Sequence, residues 1–141
     1  MKLKKILLGL TLLSASAAVY AEGEKIRFTF DNKEIVVALE DNSGAESLLK
    51  QLPLTLKFED YSSTEKISYP PEKLDISRAP KSCTPKRGDL TYYSPWGNLA
   101  FFYRDFRHSN GLVPLGRIES GIEALEELDR AASVKIEKVT D

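Results

Sequence analysis

The two side chains best suited to chemistry at neutral pH each occur once, as His108 and Cys83. His108 lies in Phe106-Arg-His-Ser-Asn-Gly111, a polar stretch of turn residues. A general base there would need a nucleophile and an orienting acid, and Ser109 is merely its neighbour, outside any G-x-S-x-G setting. It reads as an exposed loop histidine. Zinc is disfavoured, because one histidine and one cysteine leave half of a tetrahedral shell to carboxylates that no spacing points to. Cys83, between Lys81-Ser82 and Thr84-Pro85, sits in no motif. It reads as a loop thiol that, being alone, forms no internal disulfide. The acids of Glu59-Asp60 fall on adjacent strand positions and face opposite ways, so one is expected at the surface and the other capping a turn. Gly111-Leu-Val-Pro-Leu-Gly116 has neither the glycine spacing nor the helix start of a nucleotide loop. No cofactor and no metal are expected.

Binding chemistry is better represented. Gly88 to Tyr103 contains the sole tryptophan, Trp96, with Tyr92, Tyr93, Phe101, Phe102 and Tyr103. Alternation puts Leu99, Phe101 and Tyr103 on one face of a strand and Ala100, Phe102 and Arg104 on the other, so one set must be core. Trp96, between Pro95 and Gly97 in a turn, is least explained by a core. Tyr92, Tyr93, Trp96, Phe102 and Arg104 form the candidate ligand-binding set, a shallow pocket for an extended peptide or a small apolar ligand.

The elements that position these residues read as short strands. Lys25 to Phe30 alternates, Asp31-Asn32 turns, and Glu34 to Leu39 returns as a hairpin. A Ser43-Gly-Ala-Glu46 capping box opens an amphipathic helix that stops at Pro53. Leu54 to Asp60 and Glu65 to Tyr69 are strands around Ser62-Ser63, and Pro71 to Arg87 is a long surface loop. Asp89 to Tyr93 and Asn98 to Arg104 flank the Trp96 turn, and Leu112 to Ile118 carries Pro114, which predicts an edge or a bulge. Ser120-Gly-Ile-Glu123 opens a second helix burying Ile122, Leu125 and Leu128, with a solvated acidic face, and Ser133 to Val139 closes the chain. Eight strands in this length predict a mainly β fold, a closed eight-stranded barrel with two short capping helices.

The chain begins with Lys2, Lys4 and Lys5, an apolar run from Ile6 to Leu13, and small residues ending Val19-Tyr20-Ala21. That is the plan of a signal peptide over residues 1–21, cleaved after Ala21, and the apolar run is too short to span a bilayer. Residues 22–141 then form one exported domain, periplasmic or secreted, with 17 basic and 21 acidic residues and a net charge of -4. Mild acidity argues against nucleic acid as a partner, which requires a concentrated basic face.

Pro114-Leu-Gly-Arg-Ile118 running into Ser120-Gly-Ile122 resembles the C-terminal V-F-G-K-V strand and following helix of cyclophilins, and Leu99 to Tyr103 is similar to their S-Q-F-F-I strand. The span from Lys25 to Val139 more closely resembles a family of small prokaryotic cyclophilin-like domains with recurring F-E-D-Y, G-D-L-x-Y-Y-x-P-W-G-N-L-A and L-G-R-I-x-S-G-I-E-A-L. These stand here as Phe58 to Tyr61, Gly88 to Ala100 and Leu115 to Leu125. The resemblance implies the cyclophilin-like barrel but carries the prolyl isomerase site over poorly. Lys57 to Pro70, where the enzymes place an arginine in F-H-R-I-x-P-G-F, has none. Ala100 replaces the glutamine and Leu112 the histidine, and only the pair Phe101 and Phe102 remains. Isomerisation faces a barrier of about 18–20 kcal/mol and needs a donor to the imide nitrogen. Arg104 and Arg117 are the candidate replacements. The expected function is therefore non-catalytic binding of a small molecule or extended peptide. The alternatives are a divergent peptidyl-prolyl cis-trans isomerase, or an accessory module acting on an envelope protein.

Overall fold

The computed structural model describes residues 23–140. The expected signal peptide lies outside the described residues. Strand β1 (Lys25–Phe30) buries Ile26, Phe28 and Phe30. It pairs antiparallel with β2 (Lys33–Leu39) across a two-residue turn in which Asp31 and Asn32 both take positive φ, 47° and 62°. That left-handed pair matches the twist of a tight hairpin.

Helix α1 (Ser43–Gln51) starts one residue earlier in its capping than the expected box. Asn42 is the N-cap, its side chain accepting from the Ala45 amide and donating to the Pro114 carbonyl, which ties the helix to the sheet. Ser43 instead accepts from the Arg78 amide and so pins the long loop. Strand β3 (Leu54–Leu56) and strand β4 (Glu59–Tyr61) replace the single strand expected from Leu54 to Asp60. The break falls at Lys57-Phe58, where the fully buried Phe58 packs 6.2 Å from Phe28. Lys57 donates to the carbonyls of Asp129 and Ala131, and its own carbonyl accepts from Ser68.

Strand β5 (Glu65–Ser68) follows a second left-handed pair at Ser62 and Ser63. Strand β6 (Ser82–Cys83) is a two-residue ladder with β9 (Ser109–Asn110), and β7 (Asp89–Tyr93) and β8 (Asn98–Phe102) form the hairpin around Trp96. Strand β10 (Leu112–Ser120) lies inside the sheet between β2 and β7 and accommodates Pro114 with a register shift before Gly116, the bulge its sequence predicts. A 3-10 helix (Ile122–Arg130) and β11 (Val134–Lys138) complete the chain. The second capping box does not form. Ser120 ends β10, and Gly121 occupies the helix start at φ 89°, a conformation available to glycine at little cost. Ala124, Leu125 and Leu128 are buried there, whereas Ile122 is only half-buried.

One sheet runs β3-β11-β1-β2-β10-β7-β8-β5-β4. Its edge strands, β3 and β4, are consecutive in the chain and only Lys57-Phe58 separates them, so the sheet curls into a barrel-like shell with its ends tied covalently. Among the described residues no ladder joins those ends, so an open nine-stranded circuit stands where a closed eight-stranded one was expected. The extra strand is the half of Leu54–Tyr61 that Phe58 turns around the corner. Phe28 and Phe101, with centroids 5.1 Å apart, anchor the interior with Leu90, Leu99, Leu115 and Leu125. No helix among the described residues is long and apolar enough to cross a membrane.

Candidate functional site

Strand β8 is buried along its whole length, on both faces of the sheet. Leu99 and Phe101 point into the barrel core, as alternation requires, and Ala100 and Phe102 point outward into a second apolar cluster with Ile67 and Leu112. Outward residues on a barrel are buried only where something covers them. Here the cover is Phe106, Tyr93 and Cys83, with Phe106 stacked on Phe102 at 5.8 Å and 27°.

Phe102 and Leu112 of this floor, with Phe106 and Tyr93 of its cover, border a cavity of ≈ 380 Å³. Tyr93 and Trp96 come from the β7–β8 hairpin, Tyr61 and Glu65 from the β4–β5 hairpin, and Phe106 to Asn110 from the segment that leads into β10. The Trp96 ring, 52% exposed, meets Tyr61 edge to face at 5.6 Å and 85° and Tyr93 at 5.4 Å and 79°. Pairing sets Glu65 opposite Phe102 and Tyr93 opposite Asn98. Glu65 and Asn98 thus stand near the two ends of a strand stretch of about 13 Å.

Both are hydrogen-bond acceptors with capacity to spare. Asn98 is 1% exposed, its Nδ2 donates to the Leu99 carbonyl, and its buried Oδ1 has no partner among the described residues. An unpaired buried acceptor costs about 1–3 kcal/mol. The half-buried Glu65 carboxylate has no ion pair among the described residues, and burial first and the negative Asp60 second push it up to about 7. At the rim, Arg107 lies with its guanidinium 4.4 Å from the Phe106 ring centroid, and His108 Nδ1 is 2.9 Å from Thr84 Oγ1.

Of the five residues proposed from sequence, Tyr93, Trp96 and Phe102 line the cavity. Tyr92 does not; it is buried in the barrel interior, its hydroxyl accepting from the Leu74 amide, because odd and even positions of β7 face opposite ways. Arg104 is exposed and lies over the Tyr103 ring, outside the cavity lining. Arg117, the other proposed donor, is paired with Asp89 at 3.0 Å, and Arg107 is the arginine beside Phe102. Glu65 was detectable in principle, since it shares the outer face of β5 with Ile67, but only once the hairpin register is known.

The remaining chemical residues are occupied elsewhere. Asp60 accepts from the Tyr103 hydroxyl at 2.6 Å, from Lys66 at 3.0 Å, and from the Ser63 amide, thereby capping the turn. The Tyr103 hydrogen bond is the main influence holding its carboxyl below the usual range. Lys66 is buried, also contacts Asp129 at 2.8 Å, and lies 4.4 Å from the Tyr103 ring centroid. Burial alone would lower its pKa, but the hydrogen bonds to Asp129 and Asp60 outweigh that and raise it, so it stays charged as a tie rather than a nucleophile. His108 has Thr84 rather than Ser109 as its hydroxyl partner, while Ser109 donates to the Arg107 carbonyl. Cys83 sits half-buried in β6, with burial and then Asp89 raising its thiol to about 11. Among the described residues no three His, Cys, Asp or Glu side chains gather to hold a metal ion.

Among curated proteins none matches the chain. The solution structure of a hypothetical protein from Archaeoglobus fulgidus is similar with a TM-score of 0.65 over 83% of this chain and 95% of that one, at 18% identity, a likeness of fold. The family described as Cyclophilin-like family matches residues 28–137, from within β1 to within β11. That match takes in all or part of every strand of the sheet and every residue lining the cavity, and the chain belongs to the cyclophilin-like family.

Proposed function

We propose that this domain is a binding module that holds a small ligand or an extended peptide in the cavity over Phe102, without catalysis. The observation that carries this reading is an aromatic-walled ≈ 380 Å³ cavity, lined by Tyr61, Tyr93, Trp96, Phe102 and Phe106, into which Glu65 brings a carboxylate. Sites for small molecules are concave, largely apolar and furnished with a few aimed polar groups. The sequence before Glu22 supports a periplasmic or secreted location for the module. Fractionation of cells making the full chain, with mass analysis of the exported form, tests that placement; a protein retained whole in the cytoplasm overturns it.

A second reading, a divergent prolyl isomerase, draws on Arg107 at the same cavity as Phe102. Two assays on the chain from Glu22 separate the readings. A binder shifts Trp96 fluorescence with ligand and leaves cis-trans exchange of proline peptides unchanged by NMR. An isomerase accelerates that exchange and loses the acceleration in Phe102→Ala and Arg107→Ala. A set of apolar, aromatic and peptide probes that all leave Trp96 unmoved refutes the binding reading.

A further inference from the structure

Resting on that binding reading, we infer that the ligand carries a positive charge: an organic ammonium group held by the Glu65 carboxylate and the ring of Tyr61, its strand partner, in the cavity that Trp96 and Tyr93 also wall. Aromatic faces are the negative ends of the ring quadrupole and attract cations within about 6 Å of the centroid. Trp96 is nearly perpendicular to both tyrosines, and in each edge-to-face pair one ring keeps both faces uncovered by the other. Three rings from two hairpins therefore border one space without collapsing into a stack. A purely apolar cavity would be weakened by an ionisable side chain, yet Glu65 lines this one and its carboxylate has neither hydrogen bond nor ion pair among the described residues. Desolvating a carboxylate without a partner is unfavourable, and an incoming cation supplies that partner.

The neighbouring cationic side chains fit this assignment. Lys66, the next residue on β5, points to the opposite face of the sheet and is already engaged by Asp60 and Asp129, so it cannot serve as the counter-ion. Arg107 is exposed and its guanidinium lies over Phe106, which leaves its charge screened by solvent. The ligand class is thus an amine or quaternary ammonium.

The test compares choline with 3,3-dimethylbutan-1-ol, which has carbon in place of the nitrogen and the same shape. Both are titrated into the chain from Glu22 by calorimetry and Trp96 fluorescence. Choline is expected to bind at least about tenfold more tightly than the alcohol. Glu65→Gln reduces choline affinity about tenfold and leaves alcohol binding unchanged, with thermal unfolding confirming that the variant is folded. Equal affinities for the two probes, or choline binding that Glu65→Gln leaves intact, overturn the cationic assignment while the cavity stands as a neutral binding site. Failure of choline to bind while apolar or peptide probes shift Trp96 overturns it in the same way. If no probe shifts Trp96, the binding reading falls with it.

Discussion

Phe101 and Phe102 are adjacent on β8, 0% and 1% exposed, and should nevertheless respond differently to truncation. Phe101 packs in the barrel interior 5.1 Å from Phe28, where neighbouring side chains are themselves locked and little can fill a void. Phenylalanine-to-alanine changes in cores cost about 3–5 kcal/mol, and the upper end applies where collapse is blocked. Phe101→Ala is therefore expected to lose about 4–5 kcal/mol. Phe102 borders a cavity and stacks on Phe106, whose segment can move in, so Phe102→Ala should lose only about 2–3 kcal/mol. For a domain of this size about 4 °C accompanies each kcal/mol, giving Tm losses of about 16–20 °C against about 8–12 °C. Urea unfolding followed by circular dichroism measures both. Ligand titration of the folded fraction should then find binding retained in Phe101→Ala and lost in Phe102→Ala. If Phe102→Ala is as destabilised as Phe101→Ala and still binds, Phe102 is core and not floor.

Gly121→Ala should cost at least about 3 kcal/mol in urea unfolding, since φ is 89° and a Cβ would fall 2.2 Å from the Glu34 carbonyl oxygen. Lys66→Met leaves Asp60 and Asp129 facing each other without their cation and should lose about 3 kcal/mol at pH 7, the low end for such pairs because both carboxylates are partly exposed. The wild type, whose Asp60 is held below its ordinary range, loses stability as pH falls through that lowered value. Lys66→Met should instead regain stability as its carboxylates are protonated, and matching acid curves would refute the tie. Glu65, raised to about 7 from 4.5, has the opposite sign: its contribution is intact below pH 4.5 and lost as pH rises to about 7. After discounting for solvent screening, Glu65→Gln should gain about 1 kcal/mol at pH 8 and nothing at pH 4 by thermal unfolding. Cys83, raised from 9.0 to about 11, should react with iodoacetamide at pH 8 about a hundredfold more slowly in the folded chain than in urea.

Local chemistry made much of the framework legible. Alternation at Ile26, Phe28 and Phe30, the Asp31-Asn32 turn, and the Pro114 bulge follow from side-chain period and backbone restriction, which need no knowledge of neighbours. Capping was less transparent, because Asn42, Ser43 and Ser120 are all competent caps and tertiary contacts choose among them. Asn42 wins by reaching the Pro114 carbonyl as well as Ala45, and Ser120 is drawn into β10. The corner at Lys57-Phe58 was hidden for a related reason: alternation continues through it, and only the burial of Phe58 against Phe28 and the reach of Lys57 to Asp129 and Ala131 bend the chain there.

The cavity combines both kinds of information. Trp96 stood out because a large apolar residue in a Pro-Gly turn has no local reason to be there, and Phe102 followed from strand parity once Phe101 was core. Tyr92 belongs to the aromatic cluster along the chain but not in space, since β7 sends Tyr92 inward and Tyr93 outward, and the parity that would place Arg104 beside Phe102 ends with β8 at Phe102. Glu65 and Asn98 lie on separate hairpins and acquire meaning together only through the β5–β8 and β7–β8 registers. A barrel that needed stability alone would fill the space beside Phe102 with apolar side chains. Walling it instead with three mutually angled rings and a carboxylate that has no partner among the described residues gives up packing energy, the pattern expected of the binding module proposed above.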